Sequence, residues 1–308
     1  MRFAIMGAGA VGCYYGARLA LAGHDVVLIG RPALVEAVRA DGLRLEMGGE
    51  TRTAAVEADE HPSGIAGADV VLFCVKSGDT ETAAGAILPH LDPRARVLVL
   101  QNGVSNSETL ERVLDRHVVT AAVYVASRMA GHGTVRHEGR GDLAIGGPGA
   151  AQIAEVLDAA GIATAVSDDV MASLWEKLVI NCVLNPLSAV TRLPYGRIIA
   201  EEGLPALMED VAREALAVAR AEGHAVSEHV LDVVRSIPEA MPDQVSSTAQ
   251  DILRGRATEI EHLNGEVVRR AARHGIAVPH NRTLYLMTKL AEKTIDVEEV
   301  REDPLVPR

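Results

Sequence analysis

The first half of the chain alternates short apolar runs with glycine-rich turns, a pattern that is typical of buried strands joined by helices. Strands are predicted at residues 1–6, 25–29, 69–75 and 96–100, with two or three more between 118 and 147. A helix near 150–160 and a short strand at 163–166 follow them. Buried strands that alternate with helices predict a parallel α/β sheet.

From residue 169 onward the apolar residues recur with the period of amphipathic helices, and few strand patterns remain. Glycine and proline residues separate the helical segments. Helices are predicted near 169–191, 203–222, 227–236, 243–254, 258–274 and 280–293. The predicted fold class is therefore α/β, with an N-terminal Rossmann-type dinucleotide-binding domain at 1–168 followed by an all-α domain at 169–308.

The composition is ordinary for a soluble globular protein of 308 residues, with 48% hydrophobic and 23% charged residues. A net charge of −12 argues against nucleic-acid binding, which needs a basic face. No signal peptide and no apolar run of membrane-spanning length are recognised, so no membrane association is expected. Three scattered cysteines fit a reducing compartment, which predicts a cytoplasmic protein.

The sequence gives no indication of a metal site and does not determine the oligomeric state. The 11 His residues form no spacing that is typical of a metal site, so no metal is expected. A homodimer is compatible with the sequence, which does not fix the oligomeric state.

A glycine-rich turn lies between the first predicted strand and a helix, and a second strand follows within about thirty residues. The turn consists of Gly7, Ala8, Gly9, Ala10, Val11 and Gly12. Gly7 permits the tight turn, Gly9 lets the backbone approach a pyrophosphate, and Gly12 lets helix and strand pack closely. The N-terminus of the helix offers N–H groups to the phosphates, so this segment predicts a dinucleotide site.

The residues after the second strand predict which dinucleotide binds. NAD enzymes usually have an acid there for the ribose hydroxyls, whereas this chain has Gly30-Arg31-Pro32. The Arg31 guanidinium can pair with a 2′-phosphate, so NADP(H) is the expected cofactor. An arginine that only caps a surface loop is the alternative.

Two polar residues follow later strands, at the edge where ligands bind in open α/β sheets. Lys76 is suited to a phosphate or to a substrate carboxylate. Asn102 is suited to a position between cofactor and substrate, although turn chemistry explains the Asn102-Gly103 pair equally well.

One predicted helix carries three polar residues in an otherwise apolar sequence. Lys177, Asn181 and Asn185 are spaced four and four, so they share one side of the helix. A buried ammonium and two buried amides are costly unless polar groups face them, which favours a substrate or another helix as their partner. Only four of the 30 basic residues are lysines, and a desolvated lysine, unlike arginine, can titrate near neutral pH. Pro186 is expected to bend or break this helix.

A second polar run lies between residues 246 and 261. Ser247 and Asp251 are one helical turn apart. If Thr258 is an N-cap, Glu259 lies in the first turn of a helix, where acids are favoured. A purely structural role for Glu259 is therefore open on this pattern alone.

Taken together, these motifs resemble those of the ketopantoate reductase family over essentially the full chain. The matching segments are the turn at 7–12, Arg31, Lys76, Gln101-Asn102-Gly103, the helix at 175–186, and 246–260. The resemblance implies an NADPH-binding Rossmann domain, a helical substrate domain, and substrate in the cleft between them. It also implies reduction of 2-dehydropantoate to (R)-pantoate, a step towards pantothenate and coenzyme A.

The resemblance further implies a role for individual residues. Lys177 is similar to the family's general acid, and Glu259 is similar to the residue near the nicotinamide end. The implied substrate ligands are Asn102, Asn181, Asn185 and Ser247. The implied cofactor contacts are the turn residues 7–12, Arg31, Lys76, Asn102, Ala126 and Glu259.

Tyr195 departs from the resemblance, because family members often carry an asparagine there. This difference leaves the exact 2-keto acid open. The alternatives are a reductase of another branched 2-keto acid and a non-catalytic protein that senses NADP. A sensor, however, has no need for a lysine in an apolar segment.

Overall fold

The computed structural model describes residues 1–301, with side chains described through Lys293. The chain forms two compact units, Met1–Met171 and Ala172–Arg308. The boundary predicted from the sequence, between residues 168 and 169, lies just before this division.

The first unit contains the sheet and the helices that cover it. Its elements are β1 (Arg2–Met6), α1 (Ala10–Leu21), β2 (Asp25–Ile29), α2 (Pro32–Asp41), β3 (Leu43–Met47), β4 (Glu50–Ala54), β5 (Glu57–Asp59), β6 (Val70–Phe73), α3 (Thr80–Ile87), β7 (Arg96–Val99), α4 (Asn106–Leu114), β8 (Val119–Gly131), β9 (Thr134–Gly146), α5 (Ala150–Ala159) and β10 (Thr164–Val166).

The strands form one sheet in the order β4-β3-β9-β8-β7-β6-β1-β2-β5, with β10 paired to β9. Its centre, β2-β1-β6-β7, is parallel, whereas the long strands β8 and β9 pair antiparallel. Phe3 and Ile5 of β1 pack with α1 on one face, and Ala4 packs with α3 on the other. Because both faces are covered, ligands can reach the parallel strands only at their ends.

The strands predicted for the parallel centre are confirmed, but no elements were predicted between residues 32 and 68. That segment contains α2 and the antiparallel hairpin of β3 and β4. The first four residues of β4 are exposed and polar, so the strand has no apolar run that would reveal it. The hairpin lies at an edge of the sheet, where only one side needs apolar residues.

The described residues of the second unit form helices joined by turns and loops, without a strand. Its helices are α6 (Val170–Thr191), α7 (Tyr195–Ile199), α8 (Leu204–Ala221), α9 (His229–Ala240), α10 (Ser247–Leu253), α11 (Asn264–His274) and α12 (Pro279–Arg301). The fold class is therefore confirmed: a Rossmann-type α/β unit is followed by an all-α one. In the described part of the chain, no helix has both the length and the apolar character that a membrane span requires.

Two details of the helical unit differ from the sequence-based prediction. The single helix predicted at 258–274 is divided, because a short 3₁₀ turn at Ile260–His262 precedes α11. The short helix α7 was not predicted, since its five residues are too few to show a period.

Pro186 does not break α6, which continues to Thr191, so the expectation of a break is wrong. Proline has no N–H and cannot donate to the carbonyl oxygen of Cys182, four residues earlier. The side-chain amide of Asn264 donates to that oxygen instead, with an Nδ2–O distance of 2.8 Å. The helix thus continues past the proline, and a side chain from another segment donates to the carbonyl oxygen that the proline leaves without a helical partner.

Candidate active site

The glycine-rich turn is fixed to the end of β2. The N–H groups of Gly7 and Ala8 both donate to the carbonyl oxygen of Ile29, at 3.1 and 2.9 Å. Gly7 has a φ of +98°, and a Cβ on it would lie 2.6 Å from the backbone nitrogen of Val75. Only glycine fits this position, and the turn therefore lies directly against the segment that leads to Lys76.

The other glycines of the turn separate a packed side from an open side. A Cβ on Gly12 would lie 2.8 Å from Cγ2 of Ile5, whereas a Cβ on Gly9 would meet no atom within 4 Å. Gly9 is exposed, and α1 begins immediately after it at Ala10. The first N–H groups of a helix have no partner within the helix, so the open side of this turn fits a pyrophosphate.

Arg31 lies beside this turn. A Cβ on the preceding Gly30 would be 3.1 Å from Cβ of Ala8. The carbonyl oxygen of Arg31 accepts hydrogen bonds from Leu34 and Val35 at the start of α2, but its exposed side chain makes no cap hydrogen bond. The backbone of Arg31 therefore caps the helix without engaging the guanidinium.

A buried amide joins the loop after β6 to the loop after β7. Nε2 of Gln101 donates to the carbonyl oxygen of Val75 at 2.9 Å and to Oγ1 of Thr80 at 2.8 Å. Gln101 and Thr80 are both buried. These bonds fix the backbone on either side of Lys76 while its side chain stays exposed.

Asn106 extends the same network to Asn102. Its Nδ2 donates to the carbonyl oxygen of Asn102 and, at 3.2 Å, to Oγ of Ser77. Ser77 itself donates to the Asn102 carbonyl at 3.3 Å. The network thus fixes the backbone around Lys76 and Asn102, the two polar residues predicted for this edge of the sheet. Thr80 and Asn106 were not predicted, although each is a polar residue at the start of the helix that follows one of these strands.

Ala126 lies in β8, where the pairing with β9 is irregular. It pairs with Gly139, and the register shifts between Tyr124 and Val125 and again between Ala126 and Ser127. Such irregularities leave backbone groups outside the regular ladder and are frequent near active sites. A backbone contact from Ala126 to the cofactor stays a prediction.

In the second unit, α6 carries the predicted polar series on successive turns. Lys177 and Asn181 are half-buried and Asn185 is buried. Their helix neighbours Trp175 and Cys182 are fully buried, so the series borders an apolar core. Burial raises the pKa of the Cys182 thiol, which keeps it protonated and favours its role as a buried filler.

The start of α10 is bound to the same part of α6. Oγ of Ser246 accepts from the N–H of Ala249 at 3.0 Å, as an N-cap does, and donates to the carbonyl oxygen of Asn185 at 3.2 Å. Ser247 is the first residue of α10 and is exposed. The structure therefore brings the segment of Ser247 together with Asn185.

Glu259 is half-buried and immediately precedes the 3₁₀ turn. Its side chain makes no cap hydrogen bond, whereas Oγ1 of Thr258 accepts from the N–H of Ile260 at 3.2 Å. Thr258 is held in turn by the Glu292 carboxylate, which accepts its N–H at 2.9 Å and its hydroxyl at 2.6 Å. Thr258 thus caps this turn, as the sequence suggested, and Glu259 lies before the turn rather than in the first turn of a helix.

The predicted site residues lie in two groups, one in each unit. The first unit has the turn, Arg31, Lys76 and Asn102 at the carboxyl ends of its parallel strands. The second has Lys177, Asn181 and Asn185 on α6, with the segments of Ser247 and Glu259 bound nearby. In the part of the chain that the structure describes, no group of three or more His, Cys, Asp or Glu residues is arranged to hold a metal.

The glycine-rich turn between β1 and α1 is typical of a dinucleotide-binding protein. The chain belongs to the ketopantoate reductase family. The family described as "Ketopantoate reductase PanE/ApbA" matches residues 3–149, and its C-terminal part matches residues 169–292. The family predicted from the sequence motifs is thereby confirmed.

Individual relatives match along almost the whole chain. A 2-dehydropantoate 2-reductase of Halobacterium salinarum is 36% identical and covers 95% of this chain and 99% of its own. The structure of a PanE/ApbA family ketopantoate reductase from Ralstonia eutropha JMP134 is 52% identical, with a TM-score of 0.93, and covers 96% of this chain and 100% of its own. D-mandelate dehydrogenase with NADH and anilino(oxo)acetate is 23% identical with a TM-score of 0.90, covering 96% and 100%, and shares the fold.

Proposed function

We propose that the protein reduces 2-dehydropantoate to (R)-pantoate with NADPH. The observation that carries this proposal is the polar series of α6, in a chain that matches a 2-dehydropantoate 2-reductase almost end to end. The three free cysteines fit a reducing compartment and support a cytoplasmic location.

Lys177 performs the proton chemistry in this proposal. When bound, the reduced nicotinamide supplies a hydride to the 2-keto carbon, and an alkoxide develops on the former carbonyl oxygen. The Lys177 ammonium stabilises that charge and donates a proton to it. The buried residues beside Lys177 limit the access of water, which strengthens both effects.

The amides and the hydroxyl of the second unit bind the substrate. Ketopantoate carries a carboxylate and a hydroxyl, and both can be bound by neutral donors. Asn181 and Asn185 supply amides from consecutive turns of α6, and Ser247 supplies a hydroxyl from α10. Asn102 in the first unit completes the set at the end of β7.

Arg31 is the basis for proposing NADPH over NADH. Arg31→Ala should weaken NADPH binding roughly tenfold to a hundredfold, because one charge-assisted contact is worth about 1.5–3 kcal/mol. NADH affinity should change little. Titrations of both nucleotides measure this, with Arg94→Ala as a control, since the Arg94 side chain is 95% exposed and lies before β7. Equal affinity of the parent protein for NADPH and NADH would refute the assignment.

Ser247 is expected to act on substrate binding alone. Ser247→Ala should raise the KM for ketopantoate, because it removes one hydrogen bond to a charged ligand, worth about 1.5–3 kcal/mol. The melting temperature should stay unchanged, since Ser247 is exposed and Ser246 provides the cap of α10. Ser246→Ala is the matched control and should lower the melting temperature. A Ser247→Ala protein with the parent KM would remove Ser247 from the site.

A reductase of another branched 2-keto acid is the second candidate, and Tyr195 favours it. Tyr195 is the first residue of α7, and its N–H donates to the carbonyl oxygen of Gln244 at 3.0 Å, close to the start of α10. Its ring is buried, which raises the pKa of the phenol to about 12 and keeps it neutral. A large neutral ring at this position would favour a different substrate shape.

One assay separates these functions. NADPH oxidation is measured with ketopantoate and with a series of other 2-keto acids at equal concentrations. The highest kcat/KM for ketopantoate supports the main proposal, and a higher value for another acid supports the second. Binding of NADPH without turnover on any acid would indicate a sensor.

A further inference from the structure

The turn of α6 between Asn181 and Pro186 depends on a donor from outside the helix. Because Pro186 has no N–H, the carbonyl oxygen of Cys182 loses its helical partner. Cys182 is fully buried, so water cannot easily replace that partner. An unsatisfied buried carbonyl costs about 1–3 kcal/mol, and a donor at this point therefore determines whether the turn holds its helical geometry.

Asn264 supplies the donor from a fully buried position. Its Nδ2 donates to the Cys182 carbonyl at 2.8 Å and to Oδ1 of Asn281 at 3.0 Å. Asn264 is the first residue of α11 and lies five positions after Glu259.

The Glu214 carboxylate determines the orientation of the Asn264 amide through the side chain of Asn281, which lies between them. The Glu214 carboxylate accepts from Nδ2 of Asn281 at 2.9 Å, and an ionised carboxylate can only accept. Asn281 must therefore present its Nδ2 to Glu214 and its Oδ1 to Asn264. Asn264 must then present its own Nδ2, which leaves that nitrogen directed at Cys182. The backbone carbonyl of Val211 accepts a further bond from Nδ2 of Asn281 at 3.0 Å.

We propose that Asn264 is a positioning residue for the substrate amides of α6. Its Nδ2 donates to the Cys182 carbonyl in place of the N–H that Pro186 lacks, and it thereby holds the turn that carries Asn181 and Asn185. This inference rests on the proposed function, which assigns those two amides to the substrate. It goes beyond that function because the side chain of Asn264 donates to Cys182 and Asn281, neither of which is a proposed substrate ligand.

The test compares Asn264→Ala with the double variant Asn264→Ala/Pro186→Ala. Asn264→Ala should raise the KM for 2-dehydropantoate roughly tenfold to a hundredfold, as small displacements of binding groups do. NADPH affinity should stay at the parent value, because the dinucleotide turn belongs to the first unit. Pro186→Ala restores a backbone N–H for the Cys182 carbonyl, so the double variant should recover most of the KM while its melting temperature stays low.

Thr288→Val is the control for a general loss of stability. Thr288 is another fully buried polar residue of the second unit, with Oγ1 donating to the Leu284 carbonyl at 2.8 Å. Its variant should melt earlier with the parent KM. If Asn264→Ala does not fold, Asn264→Ser is measured instead, both alone and together with Pro186→Ala.

Two results would overturn the inference. One is an Asn264→Ala protein whose KM for 2-dehydropantoate, measured well below its melting temperature, equals that of the parent protein. The other is an equal KM defect with and without Pro186→Ala. Asn181→Ala separates this failure from that of the proposed function. If Asn181→Ala raises the KM and Asn264→Ala does not, only the positioning role fails; if neither changes it, the substrate site itself is misassigned.

Discussion

Lys177→Ala is expected to lower the rate of the chemical step by roughly 10²–10⁴-fold, the contribution typical of a general acid. NADPH should still bind, because the glycine-rich turn and Arg31 lie on the first unit. In the proposed mechanism, the variant lacks the ammonium that stabilises the alkoxide and donates a proton to it. Lys177→Arg should recover only part of the rate, since arginine keeps the charge but is a poor proton donor near neutral pH.

The measurement is a single-turnover experiment with enzyme in excess and NADPH prebound, which separates the chemical step from product release. Lys293→Ala is the matched control, because that lysine of the same unit is exposed on α12. It should react at the parent rate. A Lys177→Ala protein that also turns over at the parent rate near neutral pH would remove Lys177 from the catalytic role.

The parts of the site that the sequence predicted are those in which local spacing determines geometry. The turn from Gly7 to Gly12 could be recognised because its glycine spacing is typical of the turn between the strand and the helix of a dinucleotide site. The series of Lys177, Asn181 and Asn185 could be recognised because four-residue spacing defines one side of any helix. Neither prediction needed knowledge of how distant segments pack.

The parts that the sequence did not predict depend on contacts between distant segments. Asn264 reaches the carbonyl of Cys182 across 82 positions, and nothing in the local pattern around either residue indicates the other. The break expected at Pro186 was wrong for the same reason, since the compensating donor comes from another helix. Gln101 and Asn106 likewise act through loops that only the sheet order brings together.

Glu259→Gln is expected to lower kcat roughly tenfold to a hundredfold with 2-dehydropantoate, as the loss of a charge-assisted hydrogen bond worth about 1.5–3 kcal/mol implies. The melting temperature should stay at the parent value. A glutamine has nearly the same shape and also serves in a capping box, so a structural role would tolerate this change. The substitution therefore isolates the negative charge of Glu259 from its packing.

Glu261→Gln is the matched control for Glu259→Gln, two positions along the same short turn. The Glu261 carboxylate pairs with Arg269 at 2.8 Å and accepts from the hydroxyl of Tyr285 at 2.6 Å, so its variant should melt slightly earlier and turn over normally. Both kcat and the melting temperature are measured for the pair. The cap of this turn comes from the Thr258 hydroxyl, so the turn does not need the charge of Glu259 for its cap. If Glu259→Gln nevertheless turns over at the parent rate, the charge of Glu259 has no part in the reaction, and the site must consist of Lys177, the asparagines and Ser247 without it.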